Sequence, residues 1–534
     1  MKLLSAPNVA IAASLFVLNV ALNAPLFEAG ETRFRDSIEG GYASMARFVA
    51  AHPNPWGWNP TQYCGLPTQF TYVPGLPYLA ALFIRLLPGA PPEHVYRVVA
   101  ATLACLGPST VFLALVVFTG SRWWSLAAAV AYTLFSPLYG LIPTVDRDRG
   151  GGVHLPWRLL VLVKYGEGPH NAGLTLIPLA LAALWTAARN SRFAHVLVAA
   201  ALVAAVALTN WVAALALAFC CAMLLLATLG THALTGFRAS RAFAAAGLAY
   251  GLACFWLTPS FIKTIAFNWP TDAFNYHLQQ QERLLLAGLV VGVVAVRLLF
   301  QWLFPGEVWL CFLGLCFFGF AWVVEWFYSA GVAPIPESRR YALELEMFLI
   351  LFVVEVFRRL WIRGTIVSRA SATAAAAVMM AAGWNQVSGY ARQGDTGRRP
   401  APKEQTIEYR LAKRIADTQP RGRVFASGGL RFRLNSWFDI SQFGGGFESG
   451  LRNRIPLHFA YQIRTGIGSK PARDGHDAAD QLRALGVEYV VVHGPKSREH
   501  YRDYRNPAKF DGVLEVIHRE EDDTIYRSPF TSLA

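Results

Sequence analysis

The sequence predicts a polytopic α-helical membrane protein followed by a water-soluble α/β unit, and three observations carry that prediction. Hydrophobic residues make up 54% of the 534-residue chain and charged residues only 15%, whereas a soluble globular chain has about 25% charged residues. The mean hydropathy is correspondingly positive, +0.34. Charge is also unevenly spread: long stretches between Pro7 and Ala382 are almost free of it, while the chain from about Arg392 onward is rich in Arg, Asp and Glu.

A membrane span needs roughly 20 apolar residues. Runs of that kind lie near 8–27, 93–118, 124–142, 171–187, 196–208, 211–229, 242–262, 284–303, 307–328, 341–358 and 368–385. They predict about eleven transmembrane helices in a membrane domain over 1–385, with a soluble domain over 386–534. Gly75–Leu87 reads as a further short or re-entrant helix. The segment Met1–Leu26 has an apolar run but no clear small-x-small cleavage site after it, and it reads as an uncleaved first span. With the N-terminus inside, Arg122, Arg189/Arg192, Arg238/Arg241 and the cluster Arg358–Arg369 face the cytoplasm, as the positive-inside rule requires. The tail then falls on the extracytoplasmic side of a plasma (cell inner) membrane.

The net charge of +14 does not point to nucleic acid, because the basic residues form short clusters at helix ends rather than one patch. Six of the seven cysteines, Cys105, Cys220, Cys221, Cys254, Cys311 and Cys316, lie in apolar segments, and only Cys64 reads as extramembranous. That distribution argues against a disulfide framework and against a zinc site.

The tail alternates helix and strand signals. Glu404–Thr418 reads as an amphipathic helix, Arg423–Ser427 as a strand, and Asp477–Leu485 as a helix closed by Gly486. Val487–His493 is a continuous apolar run of the buried-strand type, and Val513–His518 with Thr524–Arg527 reads as a closing pair. Gly428–Gly446 is rich in Gly, Phe and Ser, and the glycines of FGGGFESG, too loosely arranged for a phosphate loop, read as turn and loop.

Candidate chemistry lies in the outer loops. The first, over 28–74, carries Asp36 and Glu39, which a helix would place on one face. Tyr42–Ala51 follows as an interfacial helix with Met45, Phe48 and Val49 on one side, and then a wall of Trp56, Trp58, Pro60, Gly65, Pro67, Tyr72 and Pro74. Two readings of the acids stand: solvated caps of the interfacial helix, or a general base whose pKa partial burial raises. The second loop, over 142–174, holds Asp146, Arg147, Asp148 and Arg149, which read as mutually neutralising. It also holds Glu167 and His170, with Pro169 marking a helix start. Their spacing does not make a metal site. A third loop supplies Lys263, Asp272 and His277, and a fourth, APIPESRRY, supplies Glu337, Arg339, Arg340 and Tyr341. The arginines there either anchor a helix at the headgroups or grip a phosphate bidentately.

An Asp soon after the first span, followed by Trp58-x-Pro60, Gly65-x-Pro67 and Tyr72-x-Pro74, resembles the GT-C superfamily of membrane glycosyltransferases. The chain is most similar to its bacterial branch of YfhO-like and 6-pyruvoyl-tetrahydropterin-synthase-related membrane proteins. FWLTPSF at Phe255–Phe261, Pro336-x-x-Arg339-Arg340-Tyr341 and LRALGVEYVVV at Leu482–Val492 follow in the same order. The resemblance covers most of the chain and implies transfer of a hexosyl or pentosyl group from a polyprenyl-phosphate-linked donor. It places Asp36 as the catalytic acidic residue, with Glu39 and Glu167 as further acids. Arg339 and Arg340, with Lys263, become the cations that hold the donor phosphate, and His170, Tyr341 and His277 become further cavity residues. The first loop has Asp36-x-x-Glu39 instead of an adjacent acidic pair, which leaves a divalent cation and the type of acceptor (glycan, lipid or protein) open. The implied partners are that donor, the acceptor and the membrane lipids. Two other classes compete: a transporter for a lipid-linked polymer of the cell envelope, and a non-catalytic membrane scaffold.

Overall fold

A computed structural model describes residues 5–34, 37–150, 153–229, 239–267, 278–362, 364–392, 397–448 and 450–529, with residue 70 by its backbone alone. The helix α1 (Ala6–Leu22) opens the chain. The first outer segment then forms α2 (Glu39–Ala51), a two-residue antiparallel ladder of β1 (Trp58–Asn59) and β2 (Leu66–Pro67), and α3 (Gly75–Leu86). After α4 (Pro92–Thr119) and α5 (Arg122–Leu134), the second outer segment holds α6 (Leu138–Leu141), α7 (Pro143–Arg149) and α8 (Trp157–Lys164). The remaining bundle comprises α9 (Gly168–Arg189), α10 (Phe193–Thr209), α11 (Trp211–Thr228), α12 (Ala239–Ala253), α13 (Pro259–Phe267), α14 (Gln280–Leu303), α15 (Val308–Ala330), α16 (Ala342–Ile362) and α17 (Ile366–Ala391).

Six of the described helices, α4, α9, α11, α14, α15 and α17, are long and apolar enough to cross a membrane. Each of the eleven apolar runs overlaps a helix, but 8–27 passes the end of α1, 124–142 breaks between α5 and α6, and 242–262 breaks between α12 and α13. The helices α1, α5, α10 and α12 have only 17, 13, 17 and 15 residues. The 21-residue α16 carries Glu344, Glu346, Glu355, Arg358 and Arg359.

Within the bundle α4 packs on α9, α9 on α10, and α15 on α16. The second outer segment departs from a solvated loop: Trp157 to Val163 of α8 are all buried. An apolar run of that length cannot span, so it buries itself against the bundle instead. Its Arg158 satisfies a specific defect. Pro108 inside α4 lacks the N–H that would bond the carbonyl four residues back, and Arg158 donates to that Ala104 carbonyl at 3.0 Å. The charges of α7 pair locally, Arg149 with Asp146 at 2.6 Å, while Asp148 binds Lys164 at 2.6 Å.

The tail forms α18 (Ile407–Asp417), β3 (Arg423–Phe425), α19 (Leu430–Trp437), α20 (Ile455–Thr465), α21 (Asp474–Ala484), β4 (Val487–His493), β5 (Glu515–Glu520) and β6 (Asp523–Arg527). The sheet order is β3-β4-β6-β5, with β3 parallel to β4 and the other pairs antiparallel. Every residue of β4 is buried, Val490 and Val492 in one cluster and Tyr489 and Val491 in the other, as a period of two dictates. The β5–β6 turn uses Glu521 and Asp522 at φ 48° and 67°, the left-handed pair that a tight hairpin needs. The Gly-, Phe- and Ser-rich stretch over Gly428–Gly446 contains α19: eight residues give too few turns for a helical period to show, although Leu430, Phe432 and Leu434 are buried.

This unit sits on the first outer segment. Glu31 and Ala401 exchange two backbone hydrogen bonds of 2.7 Å, Gln442 N donates to Thr61 O at 2.9 Å, and Tyr63 N donates to Gly444 O at 3.0 Å. Arg47 of α2 pairs with Asp439 at 2.7 Å, and α19 packs along α2. The α2 helix is therefore sandwiched between the bundle and the tail rather than laid on lipid.

Candidate active site

Three separate segments meet at the mouth of the bundle. Glu167 is the residue just before α9, where Pro169 stands in the first helical turn. Gly166 before it has φ +72°, and a Cβ there would come within 2.3 Å of Glu39 N and 2.6 Å of Ser37 Oγ. Only glycine lets the first and second outer segments touch this closely. Ile38 N donates to Tyr165 O at 3.1 Å in the same contact.

Arg340 lies in a single 3-10 turn, Ser338–Tyr341, that leads into α16. Glu337 before the turn holds φ +57°, a left-handed strain of about 1–3 kcal/mol for a residue with a side chain. That turn aims Arg340 at two carboxylates: Glu167 Oε1 at 3.0 Å and Glu337 Oε2 at 2.8 Å. Burial disfavours the charged guanidinium, but Glu167 and Glu337 outweigh it and hold the pKa of Arg340 above its ordinary value. One turn deeper, His170 Nε2 meets Glu344 Oε1 at 2.9 Å with both side chains fully buried. The spacing explains the ladder: His170 is three residues after Glu167 and Glu344 four after Arg340, so each pair stacks along one helix face.

The pairing is incomplete. Among the described residues Glu167 Oε2, Glu344 Oε2, His170 Nδ1, Tyr341 OH and Tyr96 OH have no hydrogen-bond partner although buried. Buried polar atoms are usually satisfied, so a group of exceptions at one place marks a site.

Aromatic rings wall it. Tyr42 of α2 lies 5.2 Å from Tyr72 and 6.2 Å from Tyr96, and Tyr72 lies 5.5 Å from Trp211. Asn210 Nδ2 donates to the Tyr72 hydroxyl at 3.0 Å, and Trp256 Nε1 to its carbonyl at 2.9 Å. Burial, then the charge of Glu167, pushes the Tyr72 phenol up to about 12, so it stays a neutral hydrogen-bonding group.

The other sequence candidates are placed as follows. Glu39 pairs with Arg97 at 2.8 Å beside a cavity of about 20 Å³, room for one water, lined also by Tyr96, Gly166 and Gly168. Arg339 points outward, its side chain 58% exposed and 3.8 Å from Glu337. Tyr341 is buried and stacks on Phe320 at 6.1 Å. Lys263 is exposed on α13, with no contact to the Arg340 cluster among the described residues. Asp36 and His277 lie outside the described residues. Among the described residues, no group of three or more His, Cys, Asp and Glu side chains is arranged to hold a metal ion. Sequence reading passed over Tyr42, Arg97 and Glu344 as site residues; the signal available for Glu344 was its spacing of four from Arg340.

No family model and no curated protein sequence matches the chain. Two cryo-EM structures of the arabinofuranosyltransferase AftD from mycobacteria are similar in fold, each at a TM-score of 0.49, with 16% and 15% identity. They cover 97% and 98% of this chain, which spans only 41% and 42% of their length.

Proposed function

We propose that this chain is a membrane glycosyltransferase of the GT-C kind. It moves a sugar from a polyprenyl-phosphate-linked donor to an acceptor on the extracytoplasmic face of the plasma membrane, as in the YfhO-like branch. The single observation that carries the reading is the half-satisfied pair of buried Glu167 and half-buried Arg340 at the mouth of the bundle. It joins a fixed cation to a carboxylate with one oxygen unmatched among the described residues, beside a wall of aromatic rings.

That pair suits the chemistry. The acceptor hydroxyl oxygen forms a bond to the anomeric carbon as the bond from that carbon to the lipid phosphate breaks. The hydroxyl proton passes to a carboxylate, and the departing polyprenyl phosphate takes the bonding electrons. Arg340 offers the leaving phosphate a preorganised positive charge in a low-dielectric place. Asp36 is the proposed base. In support, Ser37 and Glu39 just beyond it abut Gly166, next to Glu167. Glu167 orients Arg340, and Glu39 is kept by Arg97 as part of the wall.

The test begins with mass spectrometry of the lipid that co-purifies, followed by a transfer assay with that lipid. Asp36→Asn and Glu167→Gln are expected to abolish transfer while the protein remains folded and inserted. Full activity in Asp36→Asn would remove it as the base.

One observation favours transport as a second reading. Arg158, Glu344, Glu346 and His170 are ionisable groups buried inside the bundle, and such groups often mark conduction or proton paths. A transporter would move labelled lipid-linked sugar across proteoliposomes with its glycosidic bond intact.

A further inference from the structure

Among the described residues beyond α17, Phe447 is the one buried in the hydrophobic core that the bundle helices share. It belongs to the glycine-rich stretch of the tail, and it reaches across to the first outer segment. Its ring stacks on Tyr42 at 4.3 Å and leans on Tyr72 at 4.9 Å. Those two rings stand beside the Glu167–Arg340 pair, whose charges act on both.

We propose that Phe447 is a displaceable plug, and that the seat it fills between Tyr42 and Tyr72 receives the sugar–phosphate head of the donor. The inference rests on the glycosyltransferase reading above and assigns the place where its donor binds. Three facts carry it.

The seat has the chemistry of a sugar–phosphate site. Flat aromatic faces take the apolar face of a sugar ring, and the neighbouring guanidinium takes the phosphate. The Phe447 side chain supplies neither a charge nor a hydrogen bond there, and Glu167 Oε2 stays without a partner among the described residues.

The stretch that carries the plug is held mainly by packing and by few polar ties. Gly444, Gly445 and Gly446 precede Phe447; a Cβ on Gly444 would meet nothing within 4 Å, while one on Gly445 would lie 2.4 Å from the Tyr63 ring, so that residue is seated directly on it. A Cβ on Gly446 would lie 3.2 Å from Gly41 Cα, and one on Gly41 would lie 3.2 Å from the Phe447 ring. Glycines on both sides of the contact therefore let the two backbones and the Phe447 ring approach closely. Polar ties of the stretch include the Tyr63 N to Gly444 O bond of 3.0 Å, a tie of the Phe447 backbone to the Tyr63 side chain and, after the plug, a half-buried Arg431–Glu448 pair at 3.2 Å.

The rest of the tail is fixed to the first outer segment independently, through Glu31–Ala401, Thr61–Gln442 and Arg47–Asp439. Withdrawal of Phe447 leaves that docking in place, so the motion is that of a loop and not of the whole unit.

The experiment uses the full chain in phosphatidylcholine nanodiscs with undecaprenyl phosphate as the probe. One variant, Phe447→Cys, reports exposure by maleimide labelling located by peptide mass spectrometry. A second, Gly41→Cys with Gly446→Cys, locks the stretch down by a disulfide that a reductant reopens. Expected results are an increase of about tenfold in labelling at position 447 when the probe is present, and retention of the probe that is lost in the oxidised double variant and restored on reduction. Equal retention by the locked and reopened forms, or labelling that the probe does not change, overturns the plug and leaves the donor class standing. If the unmodified protein retains no undecaprenyl phosphate over phosphatidylcholine, the polyprenyl-phosphate donor fails, and the plug assignment fails with it.

Discussion

Two of the buried polar clusters, one in the tail and one at the bundle mouth, are finished differently. In the tail, His493 sits at the end of β4 with Nδ1 2.6 Å from Asp523 and Nε2 3.2 Å from the Ser427 carbonyl, while Ser497 donates to the second oxygen of Asp523 at 2.9 Å. Apart from one oxygen of the neighbouring Glu499, that group is satisfied. At the bundle mouth, Glu167, His170 and Glu344 each keep one unmatched atom among the described residues. A closed network rigidifies the sheet it belongs to, whereas an open one beside aromatic walls is a place for something else to bind.

The largest expected effect is at Arg340. Arg340→Gln leaves Glu167 buried without its cation, and it is expected to lower stability by about 3 kcal/mol and transfer by at least about a hundredfold. The double variant Glu167→Gln with Arg340→Gln removes both charges; it is expected to regain most of the melting temperature and none of the transfer. Recovery of transfer in the double variant would make the pair structural, like the one in the tail.

Next is the deeper rung. Glu344→Ala leaves His170 without its partner in a fully buried place, with an expected loss of about 2 kcal/mol in thermal unfolding. The same rung holds α16 against α9, so transfer is expected to fall while His170 itself stays out of the reaction. A change in the pH profile of kcat, rather than in its height, would instead put His170 in the proton path.

The closed network predicts a pH dependence of the tail. Burial opposes the charged imidazole of His493, but Asp523 and Glu499 outweigh it and raise its pKa above the ordinary 6.5. Burial also raises the Glu499 carboxyl. A raised folded pKa gives stability that is full below the unfolded value and is lost as pH climbs through the folded one. Hydrogen exchange of the β4 and β6 peptides, corrected for intrinsic rates, is therefore expected to be slower at about pH 6 than at about pH 8.5. His493→Gln should flatten that difference, and an opposite slope would show that the histidine is held neutral.

The smallest effect belongs to Arg339. Its side chain is 58% exposed and its distance to Glu337 is 3.8 Å, so Arg339→Gln should move stability by no more than about 0.5 kcal/mol. A large loss of transfer there, with the melting temperature unmoved, would return Arg339 to the donor phosphate and share the role assigned to Arg340.

The class of the molecule was legible in its composition because a bilayer imposes one pattern, the long uncharged run, wherever a helix crosses it. Local signals carried as far as β4, whose seven residues coincide with the run Val487–His493, and as far as the start of α9 at Pro169. The short elements were different: α8 and α19, of eight residues each, are helices only because burial against neighbours repays them.

By itself, then, the sequence determined which segments are apolar, roughly where the long apolar helices start, and which residue types line the outer loops. It also placed Glu167 and Arg340 at helix starts. Tertiary structure alone decided that Arg340 and not Arg339 turns inward, through the left-handed step at Glu337. It alone brought Glu344 to His170 and Phe447 to Tyr42, residues 174 and 405 positions apart. The physical reason is that spacing along a chain fixes neighbours only within a helix or strand, while contacts between segments depend on how the elements pack.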